Sequence, residues 1–335
     1  MQEKEDPMTH LTEKENVMRC INGEIPEWVP NYPDSIMMSC APYTMDYWVP
    51  GERRSDLFGV EWLTNEANSM IAPDRPILEV INDWHDFVRF PDLDNMDLEA
   101  MAKEQADALN PDLAWSFMPC HCTGTIFLPI MNMMGFEEAL IALLEEPEVC
   151  MEFFDETIEI YEKAARRMIP VIKPDILYMN DDMASARAPF VSMSCYREMF
   201  APFFQRMIDL ANDFSIPVMW HMCGKCQPIM EDLFDHGVRI WEVAQPSNDL
   251  QGLREKYGKS IVFNGGWNSE GPEAVFGASE EVVRQSVRDT MDKYAAEGSF
   301  IYWNLDSIDP SPDAMQKVAW SNDEARIYGH QFYKH

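Results

Sequence analysis

One histidine and two cysteines lie within six positions near the middle of the chain, in the segment HMCGKC formed by residues 221 to 226. The apolar residues before this segment predict a buried strand, on which His221 and Cys223 point to the same side because they are two positions apart. Imidazole nitrogen and thiolate sulfur are ligands of tetrahedral zinc. The segment therefore predicts a zinc site, although a hydrogen-bonded core histidine beside space-filling cysteines explains the same residues equally well.

A catalytic zinc site needs a third protein ligand and an open fourth position. Cys226 is the candidate nearest in sequence, although it begins the next predicted helix. Asp306, at the end of the last predicted strand, is a second candidate, and His121 or Cys122 is a third. The residues leave the choice among these ligands open.

Two adjacent carboxylates, Asp181 and Asp182, end another apolar run. One carboxylate at a strand end can point into the barrel while its neighbour caps the following loop or helix. Capping does not easily explain both, so we expect one of the two to be catalytic, accepting a proton or orienting a ligand.

Other polar and aromatic residues near the ends of predicted strands are candidates for substrate binding. They are His121, Trp220, Asn264 and Trp303. Tryptophans in such positions are equally typical of the core, because their large apolar rings are usually buried.

Short apolar runs alternate with long amphipathic stretches, and this alternation must position the candidate residues. The runs predict buried parallel strands at 36–43, 113–122, 175–182, 216–223, 239–244, 260–266 and 299–306. Helices are predicted at 147–169, 195–214, 227–237, 247–258 and 279–298. Repeated strand–helix units indicate an α/β fold with a parallel sheet.

Polar residues gather at the C-terminal ends of these strands, and in a (β/α)8 TIM barrel those ends meet at one rim. We therefore expect a barrel rather than an open sheet, in which only the strands near the switch point would contribute. We expect a single domain over residues 1–335. Within it, residues 1–110 form an irregular N-terminal cap, the first strand and a lid, and residues 111–335 form the main repeats.

The charge of the chain excludes several classes of partner. Acidic residues number 58 and basic residues 26, and the net charge of -32 repels nucleic-acid phosphates and anionic membrane surfaces. The N-terminal segment lacks the apolar run of a signal peptide, and no stretch reaches the roughly 18 apolar residues of a membrane helix. We expect a cytoplasmic protein whose eight cysteines are thiols or ligands.

Four segments together resemble the uroporphyrinogen decarboxylase superfamily, and within it the branch of corrinoid-dependent methyltransferases. They are RSDLFGVEW (54–62), NDDMASARAPFVSMSCYREMFAPFFQRM (180–207), HMCGKCQPIMEDLFDHGV (221–238) and FNGGWN (263–268). The resemblance implies a (β/α)8 barrel whose zinc is held by a histidine and a cysteine spaced like His221 and Cys223, and by a later cysteine near the last strand. The matching segment YWNLDSIDPSP has no cysteine, and Asp306 occupies that place.

The resemblance further implies a zinc-dependent methyltransferase that moves a methyl group between a small methylated compound and a corrinoid protein, which carries the cobalamin-type cofactor. Asp181 or Asp182 would position or protonate the departing group. The decarboxylases of the superfamily have arginines near the N-terminus that receive substrate carboxylates, and the corresponding segment at 31–48 has none. Two alternatives stay open: a metal-free decarboxylase or lyase of the same fold, and a binding protein without turnover.

Overall fold

A computed structural model describes residues 11–44, 52–64, 70–71, 76–305 and 311–334. Within these ranges the chain forms ten strands. They are β1 (Ile36–Cys40), β2 (Arg53–Ser55), β3 (Glu61–Thr64), β4 (Met70–Ile71), β5 (Ala114–Met118), β6 (Ile176–Asn180), β7 (Val218–His221), β8 (Val238–Ala244), β9 (Val262–Gly266) and β10 (Phe300–Trp303).

Seven of the strands form one curled parallel sheet in the order β1, β5, β6, β7, β8, β9, β10. Each lies within a predicted apolar run or, for β8, extends one residue beyond it, which confirms the α/β prediction. Because every pairing in this sheet is parallel, the C-terminal ends of all seven strands lie along one edge. That edge carries most of the candidate residues that the structure describes.

The eighth strand of a closed barrel is not seen in the described ranges, where the parallel sheet has seven strands. On the side between β10 and β1, Asn31 forms an isolated parallel bridge with Tyr302. The backbone N–H of Tyr302 also donates to the carbonyl oxygen of Pro30 at 2.8 Å. The segment before β1 therefore adjoins the last strand.

Helices follow most strands of the sheet. The α-helices of the described ranges are α1 (Glu13–Ile21), α2 (Tyr32–Ser35), α3 (Trp84–Phe87), α4 (Leu98–Asp107), α5 (Phe127–Met134), α6 (Phe136–Glu145), α7 (Pro147–Ile172), α8 (Met193–Met199), α9 (Ala201–Asp213), α10 (Gln227–Asp235), α11 (Leu250–Tyr257), α12 (Glu280–Tyr294) and α13 (Pro312–Gly329). The helix predicted at 195–214 is two helices, since Pro202 lacks an N–H and its ring clashes with a continuing helix. Helices α1 to α6 and α13 were not predicted.

In the described part of the first 110 residues the chain forms helices α1 to α4 and strands β1 to β4, and the irregular cap expected for this region stays a prediction. Strands β2, β3 and β4 form a small antiparallel sheet there. Helix α4 lies against α7, with Arg167 bonded to Glu99 at 2.6 Å. The lid and the division of the chain into one domain stay predictions.

Side chains alternate along the strands, and this alternation separates the core from the site. Trp220 of β7 packs on Phe204 of α9 with ring centroids 4.6 Å apart, and Trp241 of β8 lies 6.4 Å from Phe234 of α10. Their strand neighbours, one position on, point to the opposite, inner face of the curled sheet. Those neighbours are His221 and Glu242.

None of the described helices is by itself long and apolar enough to cross a membrane. Helices α5 and α6 reach the length and apolar composition of a membrane span only when they are counted as one segment. It bends by 115° between the two helices.

Candidate metal centre

Three side chains converge where β6 and β7 end: Asp182, His221 and Cys223. One carboxylate oxygen, one imidazole nitrogen and the thiol sulfur lie within 4.8 Å of one another. Nε2 of His221 is 3.4 Å from Sγ of Cys223 and 3.6 Å from Oδ1 of Asp182. Asn180 pairs with His221 across the two strands, so the residues that follow each strand meet. All three side chains are half-buried, which leaves them accessible to a ligand.

The turn that carries Cys223 is held from both sides. The N–H of Cys223 donates to Oδ1 of Asp182 at 2.6 Å, and the N–H of Gly224 donates to Oε1 of Gln245 at 2.6 Å. The side-chain amide of Asn248 donates to the carbonyl of Gly224 at 2.9 Å. The loops after β6 and β8 therefore fix the position of the cysteine.

The turn requires glycine at position 224, where φ is +85°. A Cβ there would lie 2.6 Å from the carbonyl oxygen of Ser185 and 2.7 Å from that of Ala184, both of them backbone atoms. We expect Gly224→Ala to lower the free energy of unfolding by about 2–3 kcal/mol and to displace Cys223. Chemical denaturation followed by circular dichroism measures the change.

The matched control is Gly277→Ala. Gly277 also has a positive φ, +74°, but a Cβ there meets nothing within 4 Å. Only the backbone strain applies, at a cost of about 1 kcal/mol. An equal loss of stability in both variants would contradict the steric argument for Gly224.

Glu242 lies beneath His221 and was missed by the sequence reasoning. Its Oε2 is 2.8 Å from Nδ1 of His221, and the hydroxyl of Tyr178 donates to the same oxygen. The register of β7 and β8 pairs His221 with Glu242. A signal was present in the sequence, because an acidic residue within the apolar strand VRIWEVA has to be buried, and burying a charge is costly unless the charge is paired.

The three cluster residues perturb one another electrostatically. Burial lowers the pKa of His221, but the carboxylates of Glu242 and Asp182 outweigh burial and raise this pKa well above its ordinary value. Burial raises the pKa of Asp182, yet His221 and the N–H of Cys223 bring it below its ordinary value. Burial raises the pKa of the Cys223 thiol, and His221 opposes the rise only in part. The carboxylates of Glu242 and Asp182 thus stabilise the positively charged form of His221 that lies between them.

Asp181 faces elsewhere. It is fully buried, and its carboxylate accepts hydrogen bonds from the N–H groups of Ile126, Phe127 and Leu128 at 2.8, 2.8 and 2.9 Å. These amides begin α5, so Asp181 caps that helix. Burial raises the pKa of Asp181 to about 7, against the effect of the three hydrogen bonds. One carboxylate of the pair is therefore a cap, but of a helix that precedes it in the chain rather than of the following loop or helix, and Asp182 is the one that faces the cluster.

Cys226, the candidate third ligand nearest in sequence, does not join the cluster. Cys226 is buried at the start of α10, and its thiol donates to the carbonyl of Met222 at 3.6 Å. Asp306 lies outside the described residues. The third donor that the structure brings to His221 and Cys223 is Asp182.

His121, predicted both as a ligand and as a substrate-binding residue, belongs to a different buried group. Its Nε2 is 3.4 Å from Oδ2 of Asp56, and its Nδ1 is 2.6 Å from the hydroxyl of Thr123. Burial lowers the pKa of His121 to about 3, and burial raises the pKa of Asp56 to about 6 although hydrogen bonds to it oppose the rise. His121 is therefore neutral, and it lies apart from the cluster of Asp182, His221 and Cys223.

The other three predicted substrate-binding residues differ in position. Trp220 is fully buried against Phe204 and is a core residue rather than a pocket residue. Asn264 is buried on the inner face of β9, next to Glu242 in register, and its amide oxygen has no hydrogen-bond partner among the described residues. Trp303 is half-buried at the end of β10, beside Tyr32. Asn264 and Trp303 stay candidates.

A cavity of about 220 Å³ adjoins the turn at Cys223. The loops after β6, β8 and β9 enclose it. Its lining consists of Ala184, Ala186, Cys223, Gly224, Gln245, Pro246, Ser247, Asn268, Ser269 and Glu270. This volume admits a small molecule next to the cysteine.

Comparisons with solved structures support the fold. A methyltransferase from Methanosarcina mazei matches with a TM-score of 0.61, covering 95% of this chain and 99% of that one, and at 12% identity the likeness shows the fold alone. Dispersin B (TM-score 0.36, 9% identity, 95% of this chain and 93% of that one) is too dissimilar to inform the fold. An endo-beta-mannanase/endo-beta-glucanase from Prevotella bryantii (TM-score 0.30, 12% identity, 81% of this chain and 49% of that one) is also too dissimilar to inform the fold.

The sequence itself has no match among curated proteins. The family model described as uroporphyrinogen decarboxylase (URO-D) does match, over residues 120–305, which is more than half of the chain. The matched segment contains Asp182, His221 and Cys223 and the strands β6 to β10. The chain therefore belongs to the uroporphyrinogen decarboxylase family.

Proposed function

We propose that this protein is a zinc-dependent methyltransferase that moves a methyl group between a small methylated compound and a corrinoid protein. The observation that carries the proposal is the convergence of Asp182, His221 and Cys223 at the C-terminal edge of the sheet. Membership of the family and the fold shared with the M. mazei methyltransferase support it.

The donor set fits zinc. Imidazole nitrogen, thiolate sulfur and carboxylate oxygen are its usual ligands, and three protein ligands leave the fourth position for substrate. The third ligand would be Asp182, and its oxygen makes a harder site than a second thiolate. When bound, zinc would act as a Lewis acid that polarises the atom to which the methyl group is attached.

The chain's own residues divide the remaining work. Asp182 supports the turn through the N–H of Cys223 and faces Nε2 of His221. As a ligand it would orient the site rather than protonate the departing group, and Asp181 is occupied by helix α5. The cavity beside Cys223 limits the methylated compound to a small molecule.

The test has two parts. Elemental analysis measures zinc in the purified and zinc-loaded protein, and absorbance spectroscopy follows methyl transfer with cob(I)alamin as acceptor or methylcobalamin as donor. We expect stoichiometric zinc and a zinc-dependent change in the cobalt spectrum. A protein that takes up no zinc contradicts the proposal. Release of carbon dioxide from a small carboxylic acid without metal would indicate the decarboxylase alternative, and tight binding without turnover would indicate the binding protein.

We further propose that the curled sheet is part of a closed (β/α)8 barrel. The bridge between Asn31 and Tyr302, which brings the segment before β1 against β10, supports this closure. The cytoplasmic location stays a prediction.

A further inference from the structure

We propose that Glu242 is a positioning residue that holds His221 in the orientation and tautomer needed to bind a metal, and that Tyr178 holds Glu242 in turn. The inference rests on the proposed metal site and concerns residues that do not themselves belong to the ligand set. It explains why an acidic residue is buried in the middle of β8.

The contact with Glu242 determines which imidazole nitrogen of His221 carries a proton. A neutral imidazole carries one N–H, and an ionised carboxylate can only accept a hydrogen bond. Nδ1 of His221, at 2.8 Å from Oε2 of Glu242, must therefore carry the proton. When a metal displaces the second proton of the charged ring, Nε2 is left with its lone pair. This is the nitrogen that lies 3.4 Å from Sγ of Cys223 and 3.6 Å from Oδ1 of Asp182. The hydrogen bond selects the tautomer that can bind a metal.

The carboxylate of Glu242 is held in a fixed position by its neighbours. Glu242 is 1% exposed, and three neighbouring strands hold it: β8 carries it, β6 supplies the Tyr178 hydroxyl, and β7 supplies His221. The backbone carbonyl of Glu242 also accepts the N–H of Met222 at 2.8 Å. Neither the imidazole nor the carboxylate can rotate without breaking these contacts.

The burial of Glu242 is energetically unfavourable. Removing a carboxylate from water has a cost that a single partner rarely recovers. Among the described residues, His221 is the only group with which Glu242 forms an ion pair. A leucine or glutamine would fill the same space at lower cost. A charged side chain at this position is thus better explained by its action on His221 than by packing.

The experiment measures zinc affinity by competition with a chromophoric chelator. Glu242→Leu removes the acceptor and should weaken zinc binding about 100-fold, whereas Glu242→Gln keeps an acceptor but loses the charge and should weaken it about 10-fold. Tyr178→Phe should have a smaller effect of the same sign. The matched control is Glu324→Gln, because Glu324 is also a buried carboxylate but is paired with Arg284 and Arg288, away from the cluster. The control should leave zinc affinity unchanged.

A spectroscopic measurement separates positioning from simple loss of structure. In ¹⁵N-histidine NMR spectra of the zinc-loaded protein, the His221 signal, identified by its absence in His221→Asn, should show zinc on Nε2 and a proton on Nδ1. In Glu242→Leu we expect a mixture of tautomers. If Glu242→Leu has the same zinc affinity and the same His221 tautomer as the parent protein, the inference is overturned. If that variant does not fold, unchanged affinity in both Glu242→Gln and Tyr178→Phe would overturn it equally.

The outcome for the parent protein distinguishes this inference from the proposed function. Zinc bound to the parent through Nδ1 of His221 would overturn the positioning role while the metal site stands. A parent that binds no zinc would overturn both.

Discussion

Cys223→Ala is expected to weaken zinc binding by at least about 100-fold, so that the purified variant no longer retains the metal. Cys223 supplies the only thiol among the three clustered donors, and its sulfur lies 3.4 Å from Nε2 of His221. Without it the site retains one imidazole and one carboxylate, fewer than the three protein ligands of a catalytic zinc site. Elemental analysis and chelator competition measure the loss, and loading with cobalt(II) should show no thiolate-to-metal absorption band.

Cys226→Ala is the matched control. Cys226 lies three positions further on, is fully buried, and donates to the carbonyl of Met222 instead of facing the cluster. We expect this variant to keep its zinc, with a small loss of stability from the cavity that the sulfur leaves. Retention of zinc by Cys223→Ala together with its loss from Cys226→Ala would mean that the ligand set has been assigned to the wrong cysteine.

Substitutions of the adjacent residues Asp181 and Asp182 are expected to affect different properties, the first stability and the second zinc affinity. Asp181→Ala should lower the free energy of unfolding by about 3–5 kcal/mol, because three buried N–H groups at the start of α5 lose their acceptor. Chemical denaturation measures this change. Asp181→Asn, which keeps one acceptor oxygen, should lose less.

Asp182→Ala should change stability much less, since Asp182 is half-buried and accepts one backbone N–H. Its effect should appear instead in zinc affinity, with a loss of about 100-fold. If Asp181→Ala were as stable as the parent but inactive, Asp181 would be catalytic and its capping role would be incidental. If Asp182→Ala bound zinc like the parent, the third ligand would have to be sought among residues such as Asp306.

Some of the molecule follows from local sequence. Most residues of each strand in the sheet are apolar, because both faces of a parallel sheet are largely buried, and such a run is visible without knowledge of its partners. The pair His221 and Cys223 is local as well, since two positions along a strand bring side chains to the same face. The break between α8 and α9 was also predictable, because Pro202 follows it directly.

The identity of the third donor was decided only by tertiary structure. Asp181 and Asp182 are indistinguishable in sequence, and they differ because the start of α5, more than 50 residues earlier, lies over one of them. Glu242 reaches His221 through the register of two strands that are 21 residues apart in the chain. The sequence by itself determined the strands and the His–x–Cys pair, since both depend on neighbouring residues. The fold alone decided which carboxylates meet that pair, because strand register and helix placement are set by packing across the whole sheet.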